Sequence, residues 1–207
     1  TLVGTPVFSY DRIVAVVIVG WVVPHSATSA DVQLLDTVAD YISMEFAAAA
    51  SQMEQERSSN LITAMNEVRD KVRSEGEMTN ELVDWIADRV RDVIPSHVLV
   101  AEGNSYNAST FVRLDSQEGP LASEVLEFPH SIDFPEGTSF VPIEATSGCG
   151  LLMARRTDLS TGYGVLLATE GGRGKTVSSA LLVMRGAQDR PFDPVEKGFL
   201  QKLAREV

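Results

Sequence analysis

The chain has 207 residues, of which 44% are hydrophobic and 22% charged, and its formal net charge is −12. This composition is typical of a globular protein of one or two domains. The acidic balance argues against nucleic acid and anionic membrane surfaces as partners, because clustered Lys and Arg side chains bind both. The longest apolar run, Ile13–Val23, has about eleven residues, whereas a membrane-spanning helix needs about 20.

The sequence predicts a cytoplasmic protein. Cys149 is the only cysteine, so no internal disulfide can form, which is typical of a reducing compartment. Residues 1–11 lack the basic and apolar regions of a secretory signal. The sequence begins with Thr and ends within a predicted helix, so we expect a piece of a longer protein.

The first part of the chain predicts a hairpin followed by a long helix. Thr5–Tyr10 and Ile13–Val23 are strand-like segments separated by two charged residues. From Ser29, apolar residues recur at intervals of three and four, and neither Pro nor Gly occurs again before Gly76. We predict one helix, or two nearly coaxial ones, longer than about 40 residues, and such a length indicates a connecting helix or coiled coil. The polar segment 54–60 would weaken the seam of a dimer and permit changes in its twist.

A second helix and a series of strands follow. Thr79 is predicted to cap a helix that ends before Pro95. Five segments have strand patterns, namely His97–Glu102, Thr110–Leu114, Gly150–Arg155, Tyr163–Thr169 and Val177–Arg185. The region Asp115–Ser147 contains four prolines and is predicted to be irregular. Asp193 and Pro194 then have the residue types that begin a final helix.

An internal repeat relates the start of the chain to its end. A shift of 165 residues places 16–19 on 181–184, Thr28 on Asp193, Asp31 on Glu196, Leu35 on Leu200, Val38 on Leu203 and Ala39 on Ala204. Both copies have an apolar strand, a polar turn, a capped start and an amphipathic helix. Repetition at a domain-sized spacing indicates two related domains. Two unrelated strand–turn–helix units are the alternative.

The second copy contains the motif Arg190-Pro191-Phe192-Asp193-Pro194-Val195-Glu196, followed by Leu200, Leu203 and Ala204. This motif resembles the C-terminal end of GAF domains, where the last strand leads into the exit helix. The order of elements predicted for 61–207 is similar to that of the whole domain. The resemblance implies an α+β fold with a central antiparallel sheet of five or six strands and flanking helices, preceded by the long connecting helix. It assigns 1–50 to the tail of a first GAF-like domain, 51–60 to the polar part of the connecting helix and 61–207 to a second domain.

The resemblance also implies a function. Domains of this type are input modules of bacterial signalling proteins, so we expect a homodimer that binds a small molecule and signals to a downstream effector. Possible effectors are GGDEF or EAL enzymes, histidine kinases, phosphatases and transcription factors. The chain itself is expected not to be an enzyme. A dimerisation module without a pocket is the alternative, and a sulfoxide reductase of the GAF type is a third, against which the lone cysteine weighs.

The predicted ligand-binding residues come from alternate strand positions and from the long irregular region. They are Phe111, Arg113, Phe128, His130, Phe134, Phe140, Cys149 and Leu152. Cys149 is either a small buried side chain or a reactive thiol, and some GAF domains attach a linear tetrapyrrole through such a thiol. The Cys-His pair common at those sites is absent here, because Gly150 follows Cys149. The sequence therefore identifies no cofactor.

Two further patterns do not predict a site. The segment 171–176 ends in Gly-Lys-Thr like a phosphate-binding loop, but Thr169 stands where its first glycine would be and a strand pattern follows. It predicts a hairpin turn instead. The three histidines, His25, His97 and His130, lack the spacing of metal ligands.

Overall fold

The computed structural model describes residues 2–9, 12–23, 26–104, 109–114, 124–128, 134–135, 137–144, 159–170 and 176–207. The chain divides into two compact units, Thr1–Ser59 and Asn60–Val207. Helix α1, Ser29–Glu75, contains the boundary between them.

The first unit consists of a hairpin and the N-terminal part of α1. Strands β1 (Leu2–Ser9) and β2 (Arg12–Gly20) pair antiparallel. The hairpin contacts the helix through the Thr5 hydroxyl, which donates to Asp36 Oδ1 at 2.8 Å, and through the Phe8 N–H, which donates to Ser43 Oγ at 3.0 Å. The predicted hairpin and long helix are confirmed, and α1 is a single helix of 47 residues.

Gly76 and Thr79 mark the end of α1 and the start of the next helix. Gly76 has φ +75°, a conformation that favours glycine, and its N–H donates to the Val72 carbonyl as α1 ends. The Thr79 hydroxyl then accepts from the N–H of Leu82 and caps helix α2, Asn80–Val93. Helix α3, Pro194–Glu206, begins with the predicted Asp193 cap and Pro194. These predicted helix starts are confirmed.

The second unit contains a six-stranded antiparallel sheet in the order β5-β4-β3-β8-β7-β6. Its strands are β3 (His97–Asn104), β4 (Ser109–Leu114), β5 (Glu124–Phe128), β6 (Phe140–Glu144), β7 (Leu159–Glu170) and β8 (Thr176–Gly186). The predicted α+β class and the antiparallel sheet are therefore confirmed. Thr176 begins a strand rather than a helix, as expected if the Gly-Lys-Thr segment is not a phosphate-binding loop.

The prediction that Asp115–Ser147 is irregular was wrong, because β5 and β6 lie within it. Phe128, predicted in a loop, is the last residue of β5. Pro142 is compatible with β6 because this strand lies at the edge of the sheet, where a missing N–H breaks no ladder on its outer side. The predicted strand Gly150–Arg155 lies outside the described residues.

Successive residues of a strand point to opposite faces, so β3 and β8 contribute to both sides of the sheet. On the helix face, the buried strand residues Val98, Val100, Val165, Leu167, Leu181 and Val183 pack with α2, α3 and the end of α1. On the other side, the distal face is formed by Leu99, Ala101, Ile143, Leu159, Ala180, Leu182 and Met184.

Candidate functional site

The predicted ligand-binding residue Phe134 lies on the distal face. It is partly buried against the apolar cluster of this face. A Cβ on Gly164 would lie 3.2 Å from the Phe134 ring, 3.1 Å from Val141 and 3.5 Å from Ile143. The absence of a side chain at Gly164 therefore lets the Phe134 ring pack directly onto β7.

Phe140 lies on the opposite face. Its ring stacks on Tyr163 with a centroid distance of 4.8 Å, and Tyr163 meets the Phe192 ring edge-on at 5.3 Å. These three aromatic residues pack against the helix-face core. Phe134 and Phe140 consequently cannot line the same surface of the sheet.

The backbone register locates three more of the predicted residues. Phe111 pairs with Glu102 and Arg113 pairs with Val100, a residue of the helix face. Paired residues share a face, so Phe111 and Arg113 hold positions in register with the helix face. Val112 pairs with Ala101, a residue of the distal face. Thr110 lies two residues before Val112 and therefore shares its face. Because Thr110 pairs with Phe128, Phe128 holds a position in register with the distal face.

His130, Cys149 and Leu152 lie outside the described residues, and their role stays a prediction. Among the predicted residues that the structure describes, Phe134 thus lies on the distal face and Phe128 holds a position in register with it.

A second feature, which the sequence did not predict, connects the last strand to the last helix. Arg185 on β8 and Glu196 in the first turn of α3 are only 2% and 0% exposed. Arg185 Nη2 donates to Glu196 Oε1 at 2.8 Å, and Nη1 donates to Oε2 at 3.1 Å. Such a two-point pairing fixes the relative orientation of both groups. We call Arg185, Arg190, Asp193 and Glu196 the β8–α3 cluster.

Arg185 also holds two neighbouring turns. Its Nε donates to the Pro95 carbonyl at 3.2 Å, and its Nη1 donates to the Arg190 carbonyl at 3.2 Å. The guanidinium lies 4.0 Å from the centre of the Phe192 ring, which is within cation–π range. One side chain therefore links the turn before β3, the turn after β8 and the start of α3.

The other members of the cluster surround the Glu196 carboxylate. Arg190, which is 48% exposed, donates from Nη2 to Glu196 Oε1 at 2.6 Å and from Nη1 to Asp193 Oδ2 at 3.2 Å. The Asp193 N–H donates to Glu196 Oε2 at 3.0 Å, and the Glu196 N–H donates back to Asp193 Oδ1 at 2.9 Å. This reciprocal pair is a capping box at the start of α3.

The cluster keeps Glu196 ionised. Burial alone would raise the pKa of Glu196, but hydrogen bonds from Arg185, the Asp193 N–H and Arg190, with the charge of Arg185, hold this pKa below its usual value. Removing one partner of a buried ion pair costs about 3–5 kcal/mol, because the other charge is left uncompensated. Replacing both partners with apolar residues of similar volume is often neutral or stabilising.

The sequence contained part of the signal for this cluster. The residue types of Asp193 and Glu196 predict the start of a helix, whereas the pattern of Val177–Arg185 predicts only that Arg185 ends a strand. Alternation places Arg185 on the same face as Leu181 and Val183, which is the face that a following helix covers. An Arg at that position and an acidic residue in the first turn of the helix together predict an ion pair.

Other kinds of site receive no support from the described part of the chain. Within it, no group of three or more His, Cys, Asp or Glu side chains is placed to hold a metal ion. Among its helices, none is long and apolar enough to cross a membrane.

The chain is similar in structure to a phycoerythrobilin-bound GAF domain from a cyanobacterial phytochrome. The TM-score is 0.50 at 11% sequence identity, and the match covers 72% of this chain and 93% of that one. A far-red cyanobacteriochrome photoreceptor matches with a TM-score of 0.45 at 12% identity, covering 74% of this chain and 92% of that one. No family model matches the sequence. No curated protein matches it either. The structural likeness shows that the chain contains the GAF fold.

Proposed function

We propose that this chain is a regulatory input module that binds a small molecule at the distal face and has no catalytic activity of its own. The observation that carries this proposal is the GAF fold, since the similar phytochrome domain holds a phycoerythrobilin. Among the residues that the structure describes, the buried side chains of the distal face are all apolar. An apolar surface of this kind suits a ligand with a largely apolar body.

No pigment is assigned to the chain. Cys149 is the only thiol in the sequence and Gly150 follows it, so the Cys-His pair common at tetrapyrrole attachment sites is absent. The proposed ligand class is a small, mainly apolar molecule held without a covalent bond. Phe128, His130 and Leu152 remain proposed contacts for it, together with Phe134.

Two phenylalanines that lie on opposite faces test the location of this site. An absorption spectrum and an intact mass, taken before and after denaturation, would identify a compound that is released on unfolding. Phe134→Ala is expected to lower its retention at least tenfold, because Phe134 packs on the distal face. Phe140→Ala is the matched control, since Phe140 packs on the helix face and its loss should leave retention unchanged in the folded protein. Loss of retention only in Phe140→Ala would refute the distal-face site.

The second part of the proposal is dimerisation through α1. Large apolar side chains at Leu34, Tyr41 and Met44 are exposed on the part of this helix that belongs to the first unit. They form one stripe, because at about 3.6 residues per turn they lie within about 80° of one another around the helix axis. Further along the same unit, the positions of this stripe are small or polar, namely Ala48, Ser51, Gln55 and Ser58. We call these positions the α1 stripe, and a second α1 helix would cover it in a coiled coil.

Two exposed alanines offer a matched test of the stripe. Ala48 lies on it, whereas Ala50 lies about 200° further around the helix. In a Cys149→Ser background, Ala48→Cys is expected to form a disulfide between two chains, while Ala50→Cys is not. Sedimentation should give twice the chain mass of 22.4 kDa. If the protein is a dimer but only Ala50→Cys forms the disulfide, the interface lies on another face of α1. If the protein is a monomer, dimerisation through α1 is refuted.

The remaining elements of the proposal concern the parent protein. We assign residues 1–50 to the tail of a first GAF-like domain, and we expect α3 to pass a signal to an effector in the cytoplasm of a bacterial cell. Extension of the parent gene beyond Val207 into an effector domain would support this role. A parent protein without any effector or partner domain would contradict it.

A module without a pocket is the second candidate. The observation that favours it is the direct packing of Phe134 onto β7 at Gly164, which fills part of the distal face. Such a module would dimerise through α1 and retain no compound. A ligand-free dimer whose melting temperature is unchanged by an extract of small metabolites would support it over the sensor.

A further inference from the structure

We propose that Arg185 is a positioning residue that fixes the direction of α3 relative to β8, so that a displacement of β8 at the distal face is passed to α3. This inference rests on the sensing function proposed above.

Strand β8 belongs to both places. Leu182 and Met184 are fully buried on the distal face, where the ligand is proposed to bind. Arg185 follows Met184 directly and points to the helix face, where it pairs with Glu196. A shift of the strand at Met184 therefore moves the guanidinium that holds α3.

The bonds of Arg185 restrict the direction of this movement. Its N–H groups donate to the Glu196 carboxylate and to the carbonyls of Pro95 and Arg190. Because the guanidinium is planar and its donors are fixed, the first turn of α3 cannot rotate about β8 without breaking several bonds at once. Apolar contacts such as those of Leu200 and Leu203 are non-directional and allow helices to slide.

Stability alone does not account for a buried ion pair at this position. An apolar pair of similar volume would fill the same space and is often at least as stabilising. What the pair adds is a defined orientation between strand and helix. Replacing both Arg185 and Glu196 with apolar residues can therefore remove the defined orientation without a loss of stability.

The test measures one distance in variants with and without the pair. Spin labels are attached in a Cys149→Ser background to Glu102→Cys on β3 and Gln201→Cys on α3, both of which are exposed positions. With Arg185 and Glu196 present, pulsed electron paramagnetic resonance is expected to give a single narrow distance distribution. In Arg185→Met/Glu196→Leu, we expect a distribution at least twice as broad at an unchanged melting temperature. Arg185→Lys, which keeps the charge but not the fork, should also broaden it.

A second comparison tests the transfer itself. Leu182→Ala changes the packing of the distal face and is expected to shift the mean label distance when Arg185 and Glu196 are present, but not in the apolar double variant. If Leu182→Ala does not fold, Leu182→Met supplies a milder change at the same position. Equal widths with and without the ion pair, or equal shifts in both backgrounds, would overturn the positioning role.

These measurements need no ligand, so they separate the two proposals. A protein that retains no compound but shows the expected widths and shifts would refute sensing and keep the positioning role of Arg185. A protein that binds a compound but shows equal widths would keep sensing and refute the role of Arg185.

Discussion

In the first unit, Thr28 and Asp31 cap helix α1: the Thr28 N–H donates to Asp31 Oδ2 at 2.8 Å, and the Asp31 N–H donates back to Thr28 Oγ1 at 3.3 Å. In the second unit, Asp193 and Glu196 cap α3 with the same reciprocal pattern. These residues coincide in the 165-residue repeat. The start of both helices is therefore encoded by the same local chemistry.

The attachment of the helix to its strand differs between the two segments. Arg185 at the end of β8 reaches the capping carboxylate, whereas the corresponding residue at the end of β2 is Gly20, which has no side chain. Phe192, which the guanidinium covers, corresponds to Ala27. The comparison indicates that a helix start needs only a short motif, while its orientation depends on residues further away along the chain.

The strands of the repeat also differ in environment. Val16 and Ile18 are 54% and 62% exposed, whereas their counterparts Leu181 and Val183 are completely buried. In the helices, Leu35 and Ala39 are buried like Leu200 and Ala204. The sequence repeat thus aligns buried positions of the two helices at Leu35 and Ala39, whereas the strand positions Val16 and Ile18 differ in burial from their counterparts.

The largest expected effect comes from removing Arg185 from the buried ion pair of the β8–α3 cluster. Arg185→Met is expected to lower the free energy of unfolding of the second unit by about 3–5 kcal/mol, because Glu196 stays buried without its main partner. Urea unfolding followed by Trp85 fluorescence in a Trp21→Phe background reports this unit, since the chain has two tryptophans. The exposed Arg205→Met is the control and should change stability by less than about 0.5 kcal/mol. A loss below about 1 kcal/mol for Arg185→Met would contradict the expected cost of removing one partner of a buried ion pair.

Equivalent helix positions should differ where their burial differs. Leu203→Ala removes a fully buried side chain and is expected to cost about 2–5 kcal/mol. Val38→Ala, its counterpart in the repeat, removes a side chain that is 39% exposed and should cost less than about 1 kcal/mol. Unfolding curves monitored by the tryptophan of each unit measure both changes. Equal losses would show that the two helices are packed alike.

The two caps should contribute similarly. Thr28→Ala and Asp193→Ala each remove the acceptor of a capping box and are expected to cost about 1 kcal/mol. Asp193→Ala should be slightly worse, because Asp193 also accepts from Arg190. Helix content and unfolding free energy of the two variants test this similarity. A loss of stability in only one of the two variants would contradict this similarity.

The smallest expected effect is a change with pH. Because the pKa of Glu196 is lower in the folded protein than its usual value of 4.5, its ion pair stabilises the fold above that value and loses this contribution as the pH falls through the folded-state pKa. The difference in unfolding free energy between the unsubstituted chain and Glu196→Gln should therefore shrink below about pH 4.5. A stability difference for Glu196→Gln that grows as the pH falls would contradict the lowered pKa of Glu196 in the folded protein.

The sequence predicted those parts of the fold that depend on local signals. Gly76, Thr79 and Asp193 mark helix ends by their own conformation or side chain, and the structure confirms all three. The strand β6 was missed because Pro142 is unfavourable in most strands, and its position at the sheet edge depends on pairing with a distant segment.

The candidate site was harder to predict for the same reason. Phe134 and Phe140 are six residues apart and are both phenylalanines, but they pack on opposite faces of the sheet. Strand alternation cannot assign a face until the bounds of β6 are known. The partner of Glu196 required knowing that α3 packs back on β8, which is a tertiary contact.

Native mass spectrometry of the purified protein tests the proposed sensory role most directly. We expect a dimer of twice 22.4 kDa that carries additional mass, and this mass should disappear on denaturation and be lost in Phe134→Ala but not in Phe140→Ala. A bare monomer of 22.4 kDa, unchanged after incubation with an extract of small metabolites, would contradict the account.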